Sequence, residues 1–299
     1  MACRFRSFIF MDCETTGLES WSKITELCLI AIQTEHLLTT LSNRLPRAIN
    51  KLTLCFNPRK TIHPTASQIT GLFNETLENA AVFNEKTIEL LENFIQHVPQ
   101  PVCLVAHNGY KFDFPILRNH LKEKQFLDTF RNLFTLDTLQ LFKHHHKLEV
   151  EKIQLKKEEE LKNLPIDLLD DDWDDVISAK LDQLDSDAEF IKRSLMVKEV
   201  NETTPTKKDK LHDVHGDDDL YAQPTQKEIH RGAKKKLNFG KKMPSFKLGD
   251  VFERMTGESI MQSHEAECDV IMMAKCAIAM GEEFVALAEA IAVPFVNNA

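Results

Sequence analysis

Apolar positions recur along the chain in two rhythms. Phe8-Ile9-Phe10-Met11, Ile24–Thr34, Leu52–Phe56, Pro101–Ala106 and Leu133–Leu136 are short, densely apolar stretches of strand length. Between Thr76 and Val98 the spacing changes. Leu77, Ala80, Ala81, Ile88, Leu91, Phe94 and Ile95 recur at three and four, which predicts a helix. Further helices are expected over Phe114–Phe126, over Phe246–Met255 with Gly257 as C-cap, from a Ser263 N-cap to about Met280, and over Glu282–Ile291. Three strands followed by alternating helix and strand predict an α/β fold, a mixed sheet covered by helices.

The rhythm lapses in the middle of the chain. Of the 46 acids and 37 Lys/Arg, 23 and 12 fall within residues 149–230, so the net charge of −9 belongs to that segment and the remainder is slightly basic. Ten acids and one lysine lie between Asp167 and Glu189. Such composition predicts a solvated, disordered insertion with transient helix at Leu155–Leu169 and Val176–Leu184. The expected organisation is one domain made of 1–147 and 243–299, interrupted by an acidic insertion and a basic linker over 148–242. The insertion is a candidate for recruiting a protein partner or for mimicking DNA so as to restrain the active site. The basic stretch 231–247 carries seven Lys/Arg and no acid. It fits contact with a phosphate backbone, a nuclear import signal, or a linker paired with the insertion.

No apolar run approaches the roughly 18–20 residues of a membrane span, and the first ten residues read as no signal peptide. Seven cysteines occur without a Cys-x-x-Cys, which predicts reduced thiols in an intracellular protein of nucleus or cytoplasm, not a disulfide framework or a zinc site. His144-His145-His146 reads as a solvated helix end or a metal site.

Four acids stand where chemistry is expected. Asp12 and Glu14 close the first strand, and a spacing of two places both on one face of the sheet. Adjacent carboxylates repel, so either a proton or a divalent cation must lie between them, and hard oxygen ligands favour Mg²⁺ or Mn²⁺. Asp113 follows a buried strand and the turn His107-Asn108-Gly109, between Phe112 and Phe114. Asp269 interrupts an otherwise apolar helix, where an unpaired carboxylate is costly. His264, five residues before it, would be rotated by about 140° on a regular helix and is expected on the loop instead.

The set resembles the DEDDh 3′–5′ exonucleases, which have an RNase H-like fold. It is carried by Phe8-Ile9-Phe10-Met11-Asp12-Cys13-Glu14-Thr15-Thr16-Gly17-Leu18, by Leu104-Val105-Ala106-His107-Asn108-Gly109 with Asp113-Phe114-Pro115, and by His264-x-Ala266-x-x-Asp269-Val270. Thr25-Glu26-Leu27-Cys28-Leu29 and Lys51-Leu52-Thr53-Leu54-Cys55, leading to Ile69-Thr70-Gly71-Leu72, are similar to the three-prime repair exonucleases. The resemblance covers about 1–147 and 243–296. It implies metal binding by Asp12, Glu14, Asp113 and Asp269, two Mg²⁺ per site with Mn²⁺ as substitute, and His264 as general base. It also implies substrate contacts from Glu14, Thr15, Leu18, Ile69, Asn108, Phe112 and Asp269, with Leu18 and Ile69 wedged against the last bases, and a homodimer acting on DNA 3′ ends. Leu18 and Ile69 are equally acceptable as core residues. The acidic insertion is not a feature of that family, and the proline-rich loop and C-terminal membrane tail of some members have no counterpart.

Rival functions are an exoribonuclease or proofreading-type exonuclease, which would share all five residues, and a nucleic-acid-binding protein without catalysis. Degradation of labelled single-stranded DNA against RNA separates the first, and a single-turnover assay with magnesium the second.

Overall fold

Each apolar run finds its partners in one sheet. The computed structural model describes residues 4–19, 21–41, 44–162, 244–260 and 264–296. Its strands are β1 (Ser7–Thr15), β2 (Ile24–Gln33), β3 (Asn50–Cys55), β4 (Val102–Ala106), β5 (Phe134–Asp137) and β6 (Val293–Pro294), arranged β3-β2-β1-β4-β5-β6. β1 is antiparallel to β2 and parallel to β4; β4 and β5 are parallel, and β6 closes the far edge antiparallel to β5. The helices are α1 (Thr34–Thr39), α2 (Pro64–Thr70), α3 (Glu85–Gln96), α4 (Asp113–Glu123), α5 (Thr138–Lys162), α6 (Leu248–Thr256), α7 (Ala266–Met280) and α8 (Glu282–Ile291). They belong to one unit, to which the segments on both sides of the acidic stretch contribute.

The central strands are apolar on both faces because helices cover both. Phe8 and Phe10 of β1 and Ile30 and Ile32 of β2 meet Phe252, Val270, Met273 and Phe284 on one face. Ile9, Met11, Leu27 and Leu29 meet Ile88, Leu91, Phe114 and Leu117 on the other. Helix α7 is buried along most of its length, as an all-round apolar helix must be.

Three expectations need correcting. The helix expected from Thr76 begins at Glu85. Asn84 caps it, accepting from the Thr87 N–H at 3.2 Å while Thr87 reaches back to the Asn84 N–H, and the 76–80 segment buries Leu77 in turns instead. Helix α5 runs on past 147 to Lys162, supported by the Lys147–Glu151 and Lys152–Glu149 pairs of its exposed face. α1, α2 and the two-residue β6 were not expected at all. Ser263 and residues 163–243, which hold the rest of the acidic insertion and the basic stretch up to Lys242, lie outside the described residues. Helix α7 itself starts at Ala266, and its Glu265 cap position offers no side-chain cap. The described cysteines are all free thiols. Among the described residues no helix is long and apolar enough to cross a membrane.

Candidate active site

Strand alternation builds the site. Asp12 and Glu14 continue the face of β1 that carries Phe8 and Phe10, and α7 covers this face. Asp269, in the first turn of α7, therefore arrives from above, and ligand oxygens of Asp12, Glu14 and Asp269 lie within 4.8 Å of one another. Asp113 begins α4, whose Phe114 and Leu117 pack on the opposite face. It approaches from below, where Cys13 points. Its Oδ1 accepts from the Cys13 backbone N–H at 3.2 Å and from the Cys13 thiol at 3.3 Å. Asp113 is thus outside the close trio, yet it is the leading neighbouring charge acting on Asp12.

The electrostatics follow from this crowding. Burial, then Asp113, Asp269 and Glu14, hold the Asp12 carboxyl well above the usual carboxylate range. Burial, then Asp269 and Glu26, push Glu14 up to about 8. Burial raises Asp113 to about 6 against the opposing pull of the Cys13 hydrogen bonds. Asp269 is raised by burial and partly relieved by the His264 N–H, 3.1 Å from its Oδ2. Among the described residues no lysine or arginine pairs with any of the four. Negative charge is gathered here without its own counter-ion, and the donor set is hard oxygen throughout. These residues fit one or more divalent cations of the magnesium and manganese type.

His264 is exposed, in the left-handed region at φ 68°, immediately before α7. Only its backbone N–H bonds the trio; its imidazole charge acts on Asp269 without a hydrogen bond to it. Leu18 is 82% exposed, Ile69 49% and Phe112 36%, so none of these apolar side chains is core. Thr15 is half-buried beside Glu14, its hydroxyl donating to the Gly17 carbonyl. Asn108 lies in the left-handed region at φ 57° in the turn after β4. At Gly109 a Cβ would lie 2.6 Å from the Ala106 side chain and 2.8 Å from the Phe114 ring, so only glycine lets this turn pass.

Sequence reasoning missed three residues. Asp137, 1% exposed, accepts from the Asn108 N–H at 2.9 Å and the Tyr110 N–H at 3.2 Å, and so holds the turn that leads to Asp113. Its only sequence signal was an acid ending an apolar strand. Glu26, paired across β1–β2 with Glu14, accepts from the Ala266 N–H at the start of α7. Cys13 was read as the spacer between two acids. A second metal-type cluster joins His145, from the His144–His146 run, to Glu149 and Glu283 on α5 and α8.

The exonuclease family model (RNase T) matches residues 9–160, just over half of the chain. The chain belongs to that exonuclease family. It is 39% identical over 150 residues to three-prime repair exonuclease 1 of Bos taurus, covering 46% of this chain and 47% of the relative. It is 39% identical over 127 residues to three prime repair exonuclease 2 of Mus musculus, covering 40% and 54%. The chain spans about half the length of the curated relatives it matches. The structure of E. coli ExoI with single-stranded DNA superposes with a TM-score of 0.52 at 15% identity, over 95% of this chain and 42% of that one. That likeness confirms the RNase H-like mixed sheet as a fold.

Proposed function

We propose that this family member is a divalent-metal-dependent 3′–5′ deoxyribonuclease that removes nucleotides from DNA 3′ ends, single-stranded or frayed. The observation that carries the proposal is the close trio of Asp12, Glu14 and Asp269, paired with no lysine or arginine among the described residues, with Asp113 against it. The names of the curated relatives, three-prime repair exonucleases, support the polarity.

Asp12, Glu14, Asp113 and Asp269 would hold Mg²⁺, two ions per site, with Mn²⁺ able to substitute. Bound there, the metal supplies Lewis-acid polarisation of the phosphate and a water acidic enough to attack at neutral pH. His264 takes the proton from the attacking water; its position on a loop end leaves it free to approach. Leu18, Ile69 and Phe112 offer apolar surface to the terminal bases. Contacts of this kind tolerate any sequence. Thr15 and Asn108 line the same pocket, and Glu14 and Asp269 face the terminal sugar. The proposed domain is 1–147 with 243–299, and the proposed assembly is a homodimer, which sedimentation checks.

The test is 5′-labelled single-stranded DNA and RNA of one sequence, with Mg²⁺ or EDTA. The expected result is stepwise shortening of the DNA from its 3′ end, absent in EDTA and much slower on RNA. Shortening in EDTA, or faster loss of RNA, overturns the proposal.

A further inference from the structure

At the start of β2 lies a groove of about 270 Å³ that none of the motifs accounts for. Lys23, Arg59, Phe83 and Lys124 line it, together with Glu123 and His120. Lys23 and Lys124 are held by Glu123 at 2.7 Å and Glu85 at 3.0 Å. Arg59 and the adjacent Lys60 have no acidic partner among the described residues. Arg59 is exposed, in the left-handed region at φ 47°, with its N–H bonded to the Asn57 side chain at 2.9 Å. A non-glycine residue in that region is strained, and here the strain presents a free guanidinium at the groove.

Two residues before the groove-lining Lys23 stands Trp21, 69% exposed. A tryptophan is highly buried on average, and this one shares the β1–β2 loop with Leu18. Lys60 Nζ reaches the Trp21 carbonyl at 3.5 Å, and Lys23, two residues on, lines the groove. The loop is tied back to the end of β1 by the Thr16 N–H, 2.9 Å from the Lys23 carbonyl. A path along one loop thus links the exposed Leu18 and Trp21 to Lys23 of the groove.

We infer that this path is a track for a single polynucleotide strand upstream of its 3′-terminal nucleotide, with a base stacked on Trp21 and phosphates passing Lys60 and Arg59. An aromatic face interleaved with cations is the chemistry of sequence-tolerant strand binding. A protein partner would instead call for a contiguous apolar patch, which the lysines and arginine interrupt here. The inference rests on the proposed nuclease reading and extends it from the terminal nucleotide to the strand behind it.

The chain has two tryptophans, Trp21 and Trp173. In an Asp12→Asn, Trp173→Phe protein, turnover is removed and Trp21 reports alone. A 12-nucleotide thymidine oligomer is expected to quench its fluorescence saturably, whereas thymidine monophosphate at equal nucleotide concentration does not. By anisotropy, Trp21→Ala should weaken oligomer binding roughly 5- to 100-fold, with Trp21→Phe restoring much of it. Arg59→Glu should lower the slope of log affinity against log salt by about 1, as loss of a phosphate contact does. Unchanged fluorescence at saturating oligomer, or an unchanged salt slope in Arg59→Glu, overturns the track. Shortening of DNA without a Trp21 signal sinks the track and leaves the activity. A Trp21 signal with no 3′ shortening by the unmodified chain does the reverse.

Discussion

Two clusters of metal-ligand side chains in the described residues differ in burial and in charge compensation. Asp12, Glu14 and Asp269 converge with no lysine or arginine of their own, and every carboxyl in the group is pushed up, by burial first. His145, Glu149 and Glu283 converge as closely, but Lys152 sits 2.7 Å from Glu149 and 3.5 Å from Glu283. There the Glu283 carboxyl is pulled down, first by the His145 hydrogen bond and then by the His145 and Lys152 charges. Proximity of ligands is common to both. Uncompensated charge is found in one, and it marks the place where the fold stores a need for an external cation. The second cluster has met that need with its own lysine and staples α5 to α8.

The strongest way to break the contrast is to remove a charge from the first cluster. Asp12→Asn should lower the rate by about 10³-fold or more, the equivalent of the several kcal/mol that a Lewis acid contributes. A variant within tenfold of the parent would mean that the trio is not the reaction centre. Next comes His264→Ala, expected to cost about 10²–10⁴-fold in rate while DNA affinity persists. A variant that keeps the parental rate removes His264 from proton transfer.

A smaller effect tests the charge itself. Glu14 titrates at about 8 in the folded chain, far above the ordinary carboxylate near 4.3. The folded state thus binds more protons than the unfolded one, so stability is fullest below the ordinary value and falls as pH climbs toward 8. Asp12 and Asp269 push in the same direction. Melting in EDTA should therefore show Tm declining from pH 6.5 to 8, above the range in which the buried His107 and His120, both pushed down by burial, act in the opposite direction, with Mg²⁺ restoring it most at the upper end. A Tm that is flat or rising across that window in EDTA contradicts the assignment of uncompensated charge.

The elements around these clusters were unequally legible. The strands were plain because their apolar runs end in turns, and α8 falls where its pattern put it. At Thr76 the three-and-four spacing was genuine but misleading, because a capping box eight residues on fixed the start of α3. Helix α2 had its signals in view, Pro64 at its start and Gly71 in the left-handed C-cap, but too few apolar residues to draw notice. Asp12, Glu14, Asp113 and Asp269 could be named from spacing. That Asp12 and Glu14 share a face could be read the same way, but the sides from which Asp113 and Asp269 arrive could not, because they depend on α4 and α7 covering opposite sides of β1. The same dependence hid the Cys13–Asp113 contact. Exposure of Trp21 leaves no mark in any pattern, since a lone tryptophan in a loop reads equally well as an anchor to the core.

The smallest expected effect bears most directly on the comparison. Lys152→Met keeps a good helix former and removes only the ammonium. Lys152 and Glu283 are exposed, and solvent screens such a pair, so Tm should move little. The informative measurement is made on an Asp12→Asn background, so that the first cluster no longer dominates metal binding. If lysine is what distinguishes the two clusters, its removal should convert the second into a site of the first kind. Its carboxylates would lose their counter-ion, and Zn²⁺, which accepts imidazole and carboxylate together, should then raise Tm where it did not before. His145→Ala in the same protein should cancel the rise. No response to Zn²⁺ after loss of Lys152 would show that charge compensation alone does not separate a metal centre from a staple.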